Sequence, residues 1–96
     1  MSDIKIYQTR LFQNQKKKLK KNQIDDLDNA IRSLVENPKL GQQKTGNLSK
    51  VWVYKFSMIN QQYLLAYLWD EKSRTLINLG VHENFYDYFQ KIVSDG

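Results

Sequence analysis

The hydrophobic pattern changes its period once along this 96-residue chain, at Asn37-Pro38. Before that point, apolar residues recur at the spacing of a single helix face: Ile24, Leu27, Ile31, Leu34 and Val35. The residue before a proline disfavours helical backbone, so we expect the helix to end there. After it come short segments rich in β-branched and aromatic residues, which are typical of strands. The chain therefore combines a helical first part with a strand-forming second part.

The first part of the chain predicts a strand and two helices. Residues 4–7 alternate weakly and predict an edge strand. Thr9 can cap the helix that follows, because its hydroxyl can accept a free backbone N–H. Asp25 and Asp26 suit the positive N-terminal end of the second helix. Together these segments predict a helical hairpin over about residues 9–36.

The second part predicts an antiparallel meander followed by a helix. A polar connection over residues 38–50 leads to three strand-like segments, separated by short turns: residues 51–58, 62–69 and 75–81. Residues 83–93 carry apolar side chains at helical spacing. The order β-α-α-β-β-β-α predicts an α+β fold, with an antiparallel sheet, the helical hairpin on one face and a C-terminal helix. The length suits one domain over residues 1–96.

The positive charge is concentrated near the N-terminus. The formal net charge is +5, and residues 1–24 hold seven cations and one acid. Five of these cations form a basic run: Lys16, Lys17, Lys18, Lys20 and Lys21. Such a run predicts binding to phosphate-rich or acidic partners. A solvated helix face that keeps the protein soluble is an equally good interpretation of charge alone.

Several classes of protein are excluded by missing features. The chain has no cysteine, so disulfides and thiolate metal sites are ruled out. A single histidine and scattered acids give no metal-ligand spacing, and neither a phosphate-binding loop nor a dinucleotide fingerprint occurs. No apolar run resembles a signal peptide or a membrane span. We therefore expect a cytoplasmic protein with no cofactor, no metal and no membrane partner.

One candidate site lies where the last predicted strand meets the last helix. His82 is the only histidine, and Tyr86 follows it by one helical turn. Histidine exchanges protons near neutral pH, so this pair could act in acid–base catalysis. The alternative, which is the more frequent case, is that His82 caps the helix or pairs with Glu83.

A second group of cations lies among the strands and their turns: Lys44, Lys50, Lys55 and Arg74. Aromatic residues lie between them, and cations beside aromatic rings suit RNA. Strand aromatics are more often core residues, and we expect this for Trp52 and Trp69. Strand parity groups Lys55 with Val51 and Val53, but both faces are partly apolar, so parity does not say which face Lys55 joins.

The combined pattern resembles a known family. A strand, a helical hairpin with a lysine-rich arm, and Lys44-Thr45-Gly46-Asn47-Leu48 leading into a meander resemble the RelE/ParE superfamily of bacterial type II toxin–antitoxin modules. So does the closing run Gly80-Val81-His82-Glu83-Asn84-Phe85-Tyr86. The resemblance covers nearly the whole chain, and element order is its strongest part. It implies a RelE-like fold and a cognate antitoxin as partner.

The resemblance also implies an activity. RelE-type members are ribosome-dependent endoribonucleases that cut mRNA in the vacant A site, by attack of a ribose 2′-hydroxyl on its phosphate. In a subset resembling YafQ, a histidine after the last strand and an aromatic residue four positions later belong to the site, which here are His82 and Tyr86. Lys44 falls near another functional position of that subset. Lys44 or Lys55 would then stabilise charge on the phosphate.

The chain also departs from the family pattern. The RelE arginine of the middle strand is replaced by Leu64, and the arginine after the last strand by His82. The histidine and acid that the YafQ-like subset adds in the first hairpin correspond to about Met58 and Gln62. Two other functions therefore stay open. One is a non-enzymatic inhibitor of DNA gyrase, as in ParE-type members, and the other is an inactive relic that only binds antitoxin.

Overall fold

The structure, a computed structural model, describes residues 3–44 and 50–81. These residues form two helices and five strands, in the order β1 (Lys5–Gln8), α1 (Arg10–Lys17), α2 (Lys21–Glu36), β2 (Gln42–Gln43), β3 (Trp52–Met58), β4 (Gln61–Asp70) and β5 (Ser73–Gly80). The α+β class and the order of the elements are confirmed. The predicted C-terminal helix over 83–93 lies outside the described residues.

All five strands belong to one sheet, with the spatial order β1-β5-β4-β3-β2. The predicted meander is confirmed, because β3 pairs antiparallel with β4 and β4 pairs antiparallel with β5. The predicted edge strand is also confirmed, and β1 runs parallel to β5, with Lys5 opposite Ser73. Between these two parallel strands the chain runs through the helical hairpin and the other three strands.

The other edge holds a strand that the sequence did not predict. β2 consists of two glutamines, and Gln42 pairs with Val53 on β3. Two polar residues carry no hydrophobic alternation, so a periodicity argument cannot detect such a strand.

The helical hairpin packs on one face of the sheet and builds the larger core there. Leu27 and Leu34 of α2 and Phe12 of α1 are fully buried in it. The sheet contributes the buried side chains Met58, Leu65, Tyr67, Leu76 and Leu79. The predicted apolar stripe of the second helix is thus confirmed as its packing face.

A smaller cluster forms on the opposite side of the sheet, which we call the far face. Val53, Leu64 and Ala66 are buried there, and Val51 and Ile77 pack against them. Apolar residues thus occur on both faces of β4, as expected of the central strand of this sheet.

The helix ends follow the predictions in part. The Thr9 hydroxyl accepts the N–H of Phe12 (3.1 Å), so the predicted cap of α1 is confirmed. α2 ends at Glu36, just before Asn37-Pro38, also as predicted. Its start is different, because α2 begins at Lys21 and has no acid in its first turn. The prediction that Asp25 and Asp26 lie at the N-terminal end of this helix is therefore wrong.

Asp26 has another partner. Its carboxylate accepts the backbone N–H of Ile59 (3.0 Å) in the turn between β3 and β4. Ile59 and Asn60 both have left-handed backbone, with φ of 47° and 65°, as in the two-residue turns that suit hairpins. A β-branched residue is strained in this conformation. The bond to Asp26 helps to hold the turn, and so ties α2 to the tip of the hairpin.

Arg74 does not lie where we predicted it. The sequence placed this residue among the surface cations that contact RNA, but its side chain is buried, with 4% exposed. Its guanidinium donates to the carbonyls of Leu34 (2.8 Å) and Val35 (3.0 Å), near the end of α2. It also donates to the carbonyls of Asp70 (2.7 Å), the last residue of β4, and Ser73 (2.8 Å), the first residue of β5. Arg74 is a structural residue, and its assignment to RNA is wrong.

We expect Arg74→Met to lower the free energy of unfolding by about 3 kcal/mol, because it leaves carbonyls near the end of α2 without their charged donor. Urea unfolding monitored by circular dichroism measures this change. Arg74→Lys is the matched control: it keeps the charge but lacks the planar fork of donors, so it should recover only part of the loss. A cost below 1 kcal/mol for Arg74→Met would contradict the assigned role.

Candidate functional site

A row of paired residues crosses the far face at the end of β5. Lys55 on β3 pairs with Leu64 on β4, and Leu64 pairs with Gly80 on β5. Adjacent strands lie about 4.8 Å apart, so Lys55 and Gly80 are separated by roughly 10 Å. His82 follows Gly80 by two residues in the chain. The sheet therefore brings Lys55 close to the point where the chain continues to the predicted acid–base pair.

The structure also resolves which face Lys55 joins. Its strand neighbour two residues away, Val53, belongs to the far-face cluster, while Trp52 and Tyr54 pack against the core under the helices. Lys55 itself is exposed, whereas Leu64 beside it is buried. The family position of the middle-strand arginine, here Leu64, is thus occupied by an apolar residue with an exposed cation on the next strand.

Lys44 directly follows β2, the edge strand that pairs with β3, but it does not lie beside Lys55. Its backbone N–H donates to the carbonyl of Val51 (2.9 Å), which continues the register of β2 against β3. Val51 is four residues from Lys55, which is about 13 Å along a strand. Lys50 is exposed directly before Val51. The cations that the sequence grouped are therefore spread along β3, and the backbones of Lys44 and Lys55 lie at least about 13 Å apart.

A buried tyrosine fixes the segment that leads to Lys44. The Tyr67 hydroxyl donates to the carbonyl of Pro38 (2.7 Å) and accepts the N–H of Gly41 (3.0 Å). A Cβ atom at Gly41 would lie 2.5 Å from the Tyr67 oxygen and 2.8 Å from the Val53 carbonyl oxygen, so glycine is needed there. In the sequence, Gly41 is simply one residue of the polar connection over residues 38–50. Nothing in a local pattern reveals a partner 26 residues away.

We expect Tyr67→Phe to destabilise the protein by about 2 kcal/mol, because it leaves the Gly41 N–H and the Pro38 carbonyl without their partner. Burial raises the pKa of the Tyr67 phenol above its ordinary value of 10.0. The unfolded chain therefore loses this proton first, and the hydroxyl's contribution to stability, complete below pH 10, declines as pH rises through the folded pKa. Urea titrations at pH 8 and at pH 11 should show the gap between wild type and variant narrowing. A constant gap would contradict this linkage.

The two residues of the predicted acid–base pair, His82 and Tyr86, lie outside the described residues. Their catalytic assignment stays a prediction. The described chain reaches Val81, directly after the end of β5 at Gly80.

The basic run forms the corner between the two helices. α1 ends at Lys17 and α2 begins at Lys21, and four lysines of this corner are exposed: Lys17, Lys18, Lys20 and Lys21. Lys16 is half-buried and lies 3.8 Å from the Asp28 carboxylate, too exposed a pair to contribute much stability. Cations at the start of α2 add to the positive end of its dipole instead of opposing it. This basic corner is therefore suited to phosphate groups.

The aromatic residues of the strands do not surround these cations. Trp52 and Trp69 are half-buried beside the core under the helices and meet edge to face, with ring centroids 5.7 Å apart. Tyr54 and Phe56 stack with centroids 5.9 Å apart on the same side. The tryptophans pack against the core without being fully buried, so the expectation that they are core residues is confirmed in part. The aromatic rings lie on the side of the helices and Lys55 lies on the far face, so the predicted grouping of this cation with the rings is not confirmed.

Within residues 3–44 and 50–81, no group of three or more acids or histidines could hold a metal ion. Neither described helix has the length and apolar character needed to cross a membrane.

Comparison with known structures agrees with this architecture. The structure is similar to a chain of the intact Escherichia coli RelBE toxin–antitoxin complex, with a TM-score of 0.64, 20% identity, and coverage of 81% of this chain and 95% of the other. It is also similar to the YoeB/ParE toxin from Agrobacterium tumefaciens, with a TM-score of 0.62, 13% identity, and coverage of 82% and 99%. At these identities the likeness shows the fold, which is RelE-like.

The sequence itself gives the family. Residues 6–90 match the model of the ParE-like toxin of type II bacterial toxin–antitoxin systems. No curated protein sequence matches the chain significantly. Because the family model spans most of the chain, this protein belongs to the ParE-like toxins of type II toxin–antitoxin systems, within the RelE/ParE superfamily.

Proposed function

We propose that this toxin is a ribosome-dependent endoribonuclease that cleaves mRNA and thereby blocks translation. The observation that carries the proposal is the row Lys55–Leu64–Gly80, which sets an exposed cation about two strands from the point where the chain continues to His82. Both similar structures belong to toxins of the same superfamily. RelE-type members of this superfamily have the activity proposed.

The proposed reaction is an internal phosphoryl transfer in the mRNA. The ribose 2′-oxygen attacks the adjacent phosphorus while the bond from phosphorus to the 5′-oxygen breaks, which leaves a cyclic phosphate and a free 5′-hydroxyl. One group must take the proton of the 2′-hydroxyl and another must donate a proton to the leaving oxygen. His82 is assigned one of these transfers, and Tyr86 either assists it or stacks on a base.

Lys55 is better placed than Lys44 to stabilise the negative charge on the phosphate that is cleaved. It stands one strand away from Leu64, the position that carries an arginine in RelE-type members, so it could supply a cation from the neighbouring strand. Lys44 is better suited to a phosphate further along the mRNA, because its strand partner Val51 lies about 13 Å along β3 from Lys55.

Replacing His82 tests the proposed chemistry. His82→Ala should lower the rate of mRNA cleavage on purified ribosomes by ~100- to 10,000-fold, because a positioned acid–base group is lost. Tyr86→Phe separates the hydroxyl from the ring, and a mild effect would indicate stacking. Mapping of mRNA 5′ ends after pulse expression reports cleavage in cells. Full growth arrest by a folded His82→Ala variant would remove the catalytic assignment.

We further propose that the basic corner binds ribosomal RNA. Replacing Lys17, Lys18 and Lys21 by glutamine should weaken ribosome binding and reduce the slope of log K against log salt by about 2 to 3, because each phosphate contact releases a counterion. Binding measured across a potassium chloride series gives this slope.

The matched control removes the same charge elsewhere. Lys5, Lys39 and Lys72 are exposed and lie away from the corner, so their replacement by glutamine changes the net charge equally. This triple variant should keep most of the wild-type slope. If the two variants changed the slope equally, the basic corner would not be a specific binding site, and its lysines would act only through net charge and solubility.

We propose a cognate antitoxin as the protein partner. The similar Escherichia coli chain was solved in a toxin–antitoxin complex. An acidic, extended antitoxin segment would match the cations of this toxin and would cover Lys55. Co-expression with the product of the adjacent reading frame should yield a complex that co-purifies, and Lys55→Glu should weaken it more than Lys39→Glu does. Absence of any complex would remove the main support for this partner.

Inhibition of DNA gyrase is the second candidate function. The matching family model is ParE-like, and Leu64 replaces a residue of the RelE catalytic set. A gyrase supercoiling assay on the purified toxin, run beside the mRNA cleavage assay, separates the two. Inhibited supercoiling without cleavage would establish the ParE-type function, and a protein with neither activity would be the inactive relic that only binds antitoxin.

A further inference from the structure

β5 contains one more residue than β4 can pair. Leu76 is opposite Tyr67, but Asn78 is opposite Ala66, so Ile77 is an inserted bulge residue. Leu76 and Leu79 both reach the core under the helices, although strict alternation would send residues three apart to opposite faces. The bulge therefore determines which face of the sheet each later residue of β5 occupies, which we call the phase of the strand.

Helix α1 and its cap hold this bulge through hydrogen bonds to four consecutive residues. Thr9 donates its N–H to the carbonyl of Leu76 (3.0 Å) and its hydroxyl to the carbonyl of Ile77 (2.7 Å). The Gln15 amide donates to the Asn78 side-chain oxygen (2.9 Å), and its oxygen accepts the N–H of Leu79 (2.8 Å).

Gln15 acts where β1 no longer reaches. The pairing of β1 with β5 ends at Gln8, opposite Leu76. The Leu79 N–H donates to the Gln15 side-chain oxygen, which takes the place of the backbone acceptor that a neighbouring strand would provide. A glutamine suits the position because a single side chain must both donate and accept. Asn78 is 2% exposed, so loss of its partner would leave a buried polar group unsatisfied.

We propose that Gln15 is a positioning residue for the cleavage site: it fixes the phase of Leu79 and Gly80 after the bulge, and so aligns the segment leading to His82 with Lys55. The inference rests on the proposed nuclease function. Helix α1 would then have two roles. Its C-terminal end carries Lys16 and Lys17 of the basic corner, which is proposed to bind ribosomal RNA. Its Gln15 side chain is bonded to β5, the strand that leads to the proposed cleavage site.

The test compares steady-state cleavage of ribosome-bound mRNA by wild type and three variants. Gln15→Leu removes both hydrogen bonds, and kcat should fall about 10- to 100-fold at unchanged KM, since small misplacement of reacting groups is costly. In Gln15→Glu the carboxylate can still accept from Leu79, and a rotated Asn78 amide can donate to it, so much of the rate should return. Gln13→Leu is the control, because its exposed amide donates to the Gln8 carbonyl (3.3 Å) and makes no hydrogen bond to β5 within the described part of the chain.

Gln15→Asn serves if Gln15→Leu does not fold, because it withdraws the amide by one methylene and should lower kcat in the same direction. Amide hydrogen exchange of Leu79 should also accelerate in either variant but not in Gln13→Leu. Unchanged kcat, or a rise in KM alone, would overturn the positioning role while leaving the nuclease function intact. A wild-type toxin that cleaves no ribosome-bound mRNA would overturn both proposals.

Discussion

A buried guanidinium joins the two layers of this toxin, and much of the remaining architecture depends on it. Arg74 is the second residue of β5 and donates to carbonyls near the end of α2 and on either side of the turn between β4 and β5. A cation is stable in this place because it meets the negative end of the helix dipole and because four hydrogen bonds replace its water. With that end of α2 fixed, the helix lies along the sheet far enough for Asp26 to reach the turn at Ile59.

The parts of the fold that the sequence predicted are those encoded by local periodicity. The helix stripe, the stop at Asn37-Pro38 and the three-stranded meander all produce their own patterns along the chain. The parts that it missed depend on bonds between distant residues. Gln42-Gln43 becomes a strand only because β3 offers it an edge, and Arg74 is buried only because α2 presents free carbonyls beside it. A charge at a turn was interpreted as a surface charge for lack of that information.

The candidate site was predictable to a similar extent. Sequence alone selected Lys55, but could not decide its face, because valines and aromatic residues alternate on both sides of β3. The sheet settles this by placing the aromatic rings under the helices and Lys55 on the far face, in line with Leu64 and Gly80. The bulge at Ile77 left no signal, since an inserted residue in a strand resembles any other apolar residue until its partner strand is known.

The parallel pairing of β1 with β5 has a consequence for how the protein folds during its synthesis. Lys5 and its partner Ser73 are separated by most of the described chain, so this contact closes a very long loop. Such non-local contacts form late and slow folding. During synthesis β1 emerges first and must wait for the strand beside it, while the meander and its helices can assemble from residues closer in sequence. The sheet is therefore completed only after β5 has been synthesised, and until then the hydrogen-bonding groups of β1 have no strand to pair with.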